Sequence, residues 1–258
     1  LPSDMILFTQ ITMEAAEDTA FLDAMREARI RGALVGVESV TEAGLKAVYK
    51  DFNLSGDSLI HRLRTFKQHG VHVLGSFIFG LPTDRQETFE ATAELAKKAD
   101  LTFAQFVTMT PFPGTIDFTR WEQSLGDNAP RIEGVPLTRY WRIPGHLRPK
   151  LYTEHPTMAP EEIRAGTQRV WDSYYALGEI WKRAHCVKSL KARLAFVFIS
   201  KLYRQMYANT GIATDSALRR KANGWARRMA VVCRWLFSAK PMPELQVPEV
   251  QESPFVVL

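Results

Sequence analysis

Apolar positions in the first 115 residues follow two alternating periods. Short, dense apolar runs at 5–11, 33–37, 71–79 and 103–109 read as strands. Between them, apolar side chains recur three and four positions apart, which predicts helices at 14–28, near 42–50, at 55–69 and at 84–98. In the third of these, Leu59, Leu63 and Phe66 share one face and Gly70 stands where a C-terminal stop belongs. The run 71–79 is apolar on both faces, the mark of a strand inside a parallel sheet with neighbours on each side. Strands alternating with helices make βα units. With no dinucleotide-type Gly-rich turn among them, they point to part of a (β/α) barrel, although a full barrel needs about eight strands.

After Thr115 the pattern changes. Residues 116–158, rich in Pro, Gly, Arg and Trp, read as an irregular connection. Residues 159–240 read as a mainly helical region, with helices near 160–184, 188–208 and 215–237. Pro160 suits the first helical turn, and Glu161 and Glu162 suit the positive end of the helix dipole. Residues 241–258, with four prolines, read as a loose tail. The expected architecture is α/β, with residues 1–115 as the C-terminal portion of a barrel.

Composition narrows the picture in three ways. A hydrophobic share of 46% and a charged share of 24% exclude wholesale disorder. Two cysteines, Cys186 and Cys233, imply no disulfide framework and fit a reducing cytoplasm. Charge is uneven: residues 1–100 carry 11 basic and 15 acidic side chains, whereas 160–240 carry 16 and 5. The basic groups Lys182–Arg183, Arg219–Lys221 and Arg227–Arg228 lie among Trp181, Trp225 and Trp235. Solvated helix faces are one reading of them, and peripheral contact with an anionic membrane is another. No nucleic-acid-binding module accompanies the charge. The chain starts at Leu1 and enters a strand almost at once, so we expect it to be a piece of a longer protein.

In parallel βα folds the C-terminal ends of the strands carry the site. Three such ends stand out. Gly36-Val37-Glu38-Ser39 places an acid at the last strand position, while Ser39 to Glu42 reads as a capping box. Phe77-Ile78-Phe79-Gly80-Leu81-Pro82 runs from a buried strand into a glycine turn, and Thr83 to Gln86 reads as a second capping box. Thr110-Pro111-Phe112-Pro113-Gly114-Thr115 is a stiff loop after an apolar strand. Each alone is also a plain turn.

Together, GVES, FIFGLP and TPFPGT resemble the strand ends of radical S-adenosylmethionine (SAM) enzymes. Leu45–Lys50 matches the segment after the first of them, while residues 6–16 and Met158–Glu162 resemble the subgroup with an N-terminal cobalamin-binding domain. The resemblance implies a SAM site in which Glu38 and Ser39 face the ribose or methionine end. Backbone at Ile78 and Gly80, with Pro82 in the turn, would meet the adenine, and Thr110, Pro111 and Gly114 would close beside it. Thr83 stands where the family has a glutamate, and Ser76 where it has a glycine. The resemblance also implies a 4Fe-4S cluster, a 5′-deoxyadenosyl radical, cobalamin as a further cofactor, and a small-molecule or lipid-like substrate. The cluster's CxxxCxxC motif is absent from this chain, so its ligands are expected in the missing N-terminal part of the same protein. The opposing expectations are a SAM- or partner-binding module without redox chemistry, and an unrelated barrel enzyme.

Overall fold

Four parallel strands, each followed by helix, form the centre of the computed structural model, which describes residues 5–53, 55–149 and 151–210. The strands are β1 (Leu7–Ile11), β2 (Ile30–Glu38), β3 (His72–Phe79) and β4 (Phe103–Thr108), in the order β1-β2-β3-β4. The helices between them are α1 (Thr19–Glu27), α2 (Glu42–Ala47), α3 (Gly56–Gln68) and α4 (Gln86–Lys98). As expected from its two apolar faces, β3 is paired on both sides, through Ala33↔Val73 to β2 and Phe77↔Phe106 to β4.

The two faces of the sheet differ. On one, Val35, Val37, Val73, Phe77, Phe79 and Phe106 are buried. Leu22 and Met25 of α1, Leu59, Leu63 and Phe66 of α3, and Phe89 and Ala96 of α4 belong to the same core. Burying such side chains stabilises by about 1.5–3 kcal/mol each, which anchors the strands. The other face carries Gln10, Leu34, Ser76, Ile78, Gln105 and Val107, of which only Ser76 is buried.

The outer edge of β4 is closed by side chains. After the loop, α6 (Pro160–Tyr174) packs on α4 and β4. Trp171 Nε1 donates to the Phe106 carbonyl at 2.8 Å and the Tyr174 hydroxyl to that of Leu101 at 2.7 Å. Just beyond the helix, the Tyr175 hydroxyl donates to Ala104 O at 2.8 Å and accepts from Ala104 N at 3.1 Å. Groups that a fifth strand would need are thus already used.

Several boundaries depart from the sequence reading. The helix expected over 14–28 breaks into a 3₁₀ turn, Met13–Glu17, and α1, because the Asp18 side chain accepts from Phe21 N and restarts the helix. Ser39 is not the cap of α2; Thr41 is, with its side chain accepting from Gly44 N. Thr83 is not the cap of α4 either, since that position falls to Arg85. Residues 116–158 are more than a connection: they hold α5 (Ile116–Leu125), the two-residue strands β5 (Arg131–Ile132) and β6 (Val135–Pro136), and a separate core of Phe118, Trp121, Tyr140 and Ile143. Thr115 caps α5, a signal hidden among prolines.

The helix expected over 160–184 is two, α6 and α7 (Leu177–Arg183), followed by α8 (Leu190–Thr210). Pro160 and Glu162 sit in the first turn of α6 as expected. Arg183, read as a surface cation, is 4% exposed, with its guanidinium 3.8 Å from the Tyr174 ring. No helix among the described residues is long and apolar enough to cross a membrane. The third helix, the tail, Cys233 and the basic groups after 216 lie outside the described residues.

Candidate functional site

The C-terminal ends of β2, β3 and β4 are held by different local devices. At the end of β2 the register slips between Gly36 and Glu38, and Glu38 adopts a φ of +67°. A non-glycine residue rarely holds that conformation, and such strain persists only where its surroundings enforce it. Here they do. Asn53 Nδ2 donates to the Gly36 carbonyl at 3.1 Å, and Lys50 Nζ to Glu38 Oε1 at 2.8 Å. The Glu38 carboxylate folds back over Gly36, where a Cβ would come within 2.3 Å of Oε1. Gly36 is therefore required for that side chain to lie where it does. Ser39 is turned inward: it is buried, and its Oγ lies 3.3 Å from Thr41 N and packs on Gly44.

At the end of β3, Gly80 has a φ of +91° and opens the turn. The acid that shapes this turn is Asp84, which is 1% exposed. Its Oδ2 accepts from Gly80 N at 2.8 Å and from Leu81 N at 3.0 Å, while Oδ1 is buried with no partner. Burial, opposed by those two bonds, raises the carboxyl pKa. A carboxylate sought at Thr83 is thus found one position later. His155 clamps the turn from outside. Its Nδ1 faces the amides of Thr157 and Met158, so it accepts, and Nε2 donates to Leu81 O at 2.9 Å. A Cβ on Gly80 would meet Leu151 at an ordinary 3.7 Å, so the left-handed backbone, and not crowding, demands glycine. Pro82 is exposed.

Beyond β4, Met109 N continues the ladder to Phe79 O at 2.7 Å. Pro111 is buried, and its carbonyl accepts from the Tyr140 hydroxyl at 3.0 Å. Trp121 Nε1 donates to Tyr152 O, and the rings of Tyr140 and Tyr152 lie 4.4 Å apart. These contacts hold the segment 137–152 beside the strand ends. Gly114, at φ +89°, lies further out and is exposed.

Between the open sheet face, the Thr110 loop and this segment lies a cavity of about 570 Å³. Ile78 and Val107 line its sheet side and Phe112, Tyr140, Tyr152 and Tyr207 supply rings. Ser76 and Gln105 add a polar strip: Gln105 Nε2 donates to Ser76 Oγ at 2.8 Å, and the Tyr207 hydroxyl of α8 bonds Gln105 Oε1. The Ser76 hydroxyl proton is left to donate to a ligand. Thr110 Oγ1 donates to Thr108 O at 3.2 Å, so its oxygen still accepts. Of the residues expected at the site, Ile78 and Thr110 line this cavity. Glu38, Gly80 and Pro111 stand at neighbouring strand ends, and Ser39, Pro82 and Gly114 do not line it.

The sequence reading did not single out Asn53, Tyr140, His155 or Tyr207, and it placed Asp84 only within a capping box. Asp84 carried a signal, an acid four positions after the turn glycine. The others act from far along the chain. No group of three or more His, Cys, Asp or Glu side chains suited to a metal gathers among the described residues. Cys186 lies in a turn after α7, where burial raises its thiol pKa.

No protein-family model matches the chain. It is similar to an uncharacterised methyltransferase of Pyrococcus horikoshii, 33% identical over 152 residues, 59% of this chain and 30% of that protein. It is also similar to hopanoid C-2 methylase of Rhodopseudomonas palustris, 28% identical over 109 residues, 42% of this chain and 20% of the relative. A third relative is bacteriochlorophyllide d C-8(2)-methyltransferase of Chlorobaculum tepidum, 22% identical over 121 residues, 47% of this chain and 27% of the relative. The chain thus spans between a fifth and a third of the length of these curated relatives, all of which are named for methyl transfer.

Proposed function

We propose that this chain is the SAM-binding and substrate-facing part of a methyl-transferring enzyme of the radical SAM type. The observation that carries the reading is the cavity at the C-terminal ends of β3 and β4, with Ile78 and Thr110 in its wall. Each strand joins the sheet beside its predecessor, and the helices α1, α3 and α4 cover the same face. That single direction of winding supports part of a (β/α) barrel over a doubly wound sheet. The methyl-transferring relatives support the reaction class.

The residues present fit SAM. An adenosyl group needs an apolar slot with a few polar contacts, and a volume of about 570 Å³ is within the usual range for such ligands. Ile78 and Val107 supply the slot, the Ser76 hydroxyl a donor and Thr110 Oγ1 an acceptor. Glu38, at the next strand end, meets the ribose or methionine part, and Lys50 holds its carboxylate until a ligand does. Bound there, SAM supplies a methyl group and a source of the 5′-deoxyadenosyl radical. The described residues do not fit a 4Fe-4S cluster, which needs clustered thiolates. In this reading, the cluster and the cobalamin belong to polypeptide N-terminal to the chain.

The test uses the chain joined to that N-terminal part, assayed anaerobically for 5′-deoxyadenosine and methylated product. Gly80→Val forces a branched side chain into a φ of +91°. The variant is expected to retain its iron and lose both products. Wild-type yields from it would remove the adenine assignment.

A further inference from the structure

We propose that Arg148 recognises an anionic group on the substrate, so that the molecule methylated here is an apolar, ring-bearing compound with a carboxylate or phosphate. The inference rests on the cavity being the SAM-dependent site argued above, and it adds the chemistry of what enters beside SAM.

The aromatic side chains Phe112, Tyr140, Tyr152 and Tyr207 give the cavity flat, apolar surfaces that favour stacked rings. Among the described residues no Asp or Glu lines it, and Arg148 is the one charged lining residue. Lys50, Arg139 and Arg204 are paired with Glu38, Glu122 and Asp172, and the buried Arg183 is packed on the Tyr174 ring, away from this cavity's lining. Arg148 forms no ion pair with a carboxylate of the described residues. Instead, Nε donates to Ile143 O at 2.7 Å and Nη2 to Trp141 O at 2.8 Å. Two carbonyls fix the guanidinium plane but do not cancel its charge, which leaves Nη1 to donate. A partly buried cation without a counter-ion is costly, and a guanidinium held in a fixed plane suits a carboxylate or phosphate. Arg148 also lies close enough to the Tyr140 and Tyr152 hydroxyls for its charge to oppose the rise in pKa that burial causes in both. The Tyr140 proton is already given to Pro111 O, so an anion in the cavity would be met by Arg148 with Tyr152 beside it.

The full chain is titrated with 1-pyrenebutyrate, a polycyclic carboxylate, and with 1-pyrenebutanol, its uncharged counterpart, and binding is followed by pyrene fluorescence. The carboxylate is expected to bind about tenfold more tightly than the alcohol. In Arg148→Met that preference should fall below about twofold while the affinity for the alcohol stays unchanged. Equal binding of the two compounds by wild type, or a preference that survives Arg148→Met, would overturn the proposal. If Arg148→Met does not fold, Arg148→Gln, which keeps a donor for the carbonyls without the charge, decides on the same criterion. SAM carries a carboxylate too, so its affinity is measured on the same variant. An unchanged value assigns the anion to the substrate, and a tenfold loss assigns it to SAM and overturns the claim. Absence of SAM binding in wild type would reject the reading of the cavity by itself, independently of the pyrene comparison.

Discussion

Replacing Asp84 tests how the turn after the central strand is held. Asp84→Ala removes the acceptor of two buried amides, Gly80 N at 2.8 Å and Leu81 N at 3.0 Å. A buried donor left without a partner costs about 1–3 kcal/mol, so the pair costs about 2–6 kcal/mol. Against that, alanine relieves the burial of a carboxylate whose Oδ1 has no partner. The expectation therefore lies at the lower end, about 2–3 kcal/mol, which is about 4–12 °C in Tm for a chain of this size. Asp84→Asn keeps an oxygen acceptor and should cost about 1 kcal/mol. The assay is urea denaturation followed by circular dichroism, with Tm measured in parallel. The pH dependence has a definite sign. Because burial raises the Asp84 pKa from 3.8, its contribution is fully present below pH 3.8 and is lost as pH rises through the folded-state value. Asparagine does not titrate, so Asp84→Asn should compare worst with wild type near pH 4 and better at neutrality. An Asp84→Ala protein within about 0.5 kcal/mol of wild type would show that Asp84 does not hold the turn, because surface-like substitutions fall in that range.

Three further outcomes follow from the geometry. Glu38→Gln loses a partly exposed ion pair worth about 1 kcal/mol or less, so SAM affinity should fall while Tm barely moves; calorimetric binding and melting on one preparation decide. Tyr175→Phe leaves Ala104 N and O without partners and should cost about 2–4 kcal/mol by denaturant titration. Burial raises the Tyr175 pKa well above 10.0, so the wild-type advantage over Tyr175→Phe should hold below that pH and shrink as pH rises through the folded-state value. The chain alone, reconstituted anaerobically with iron and sulfide, should show no cluster absorbance, and about four irons per chain would contradict the assignment of the ligands elsewhere.

The sheet was legible because its signals are local. Val73, Phe77 and Phe79 need only a covered face, and Leu59, Leu63 and Phe66 need only a helix, so period and burial agree. The strand ends were legible as positions but not as contacts. Glu38 was read as a ligand-facing acid, yet Lys50, twelve residues on, pairs with it. Ser39 and Thr83 were read as caps, yet Thr41 and Arg85 hold those places, because competing cap residues differ by less than local packing decides. α5 was missed because Pro111, Pro113 and Gly114 dominate the composition just before its Thr115 cap. The aromatic segment that walls the cavity was hidden for another reason. Tyr140 reaches Pro111, Tyr207 reaches Gln105 and His155 reaches Leu81 across long loops, and no periodicity encodes such contacts.

In the function proposed above, SAM occupies the cavity between Ile78, Val107 and Thr110. Val107 is half-buried and faces that space, so Val107→Trp fills the cavity without entering the helix-covered core. Isothermal calorimetry of SAM binding to wild type and Val107→Trp tests the claim directly. We expect one SAM per wild-type chain, at least about tenfold weaker binding to Val107→Trp, and melting temperatures within about 2 °C of each other. Wild-type affinity in Val107→Trp, or no binding by the wild-type chain, would contradict the claim.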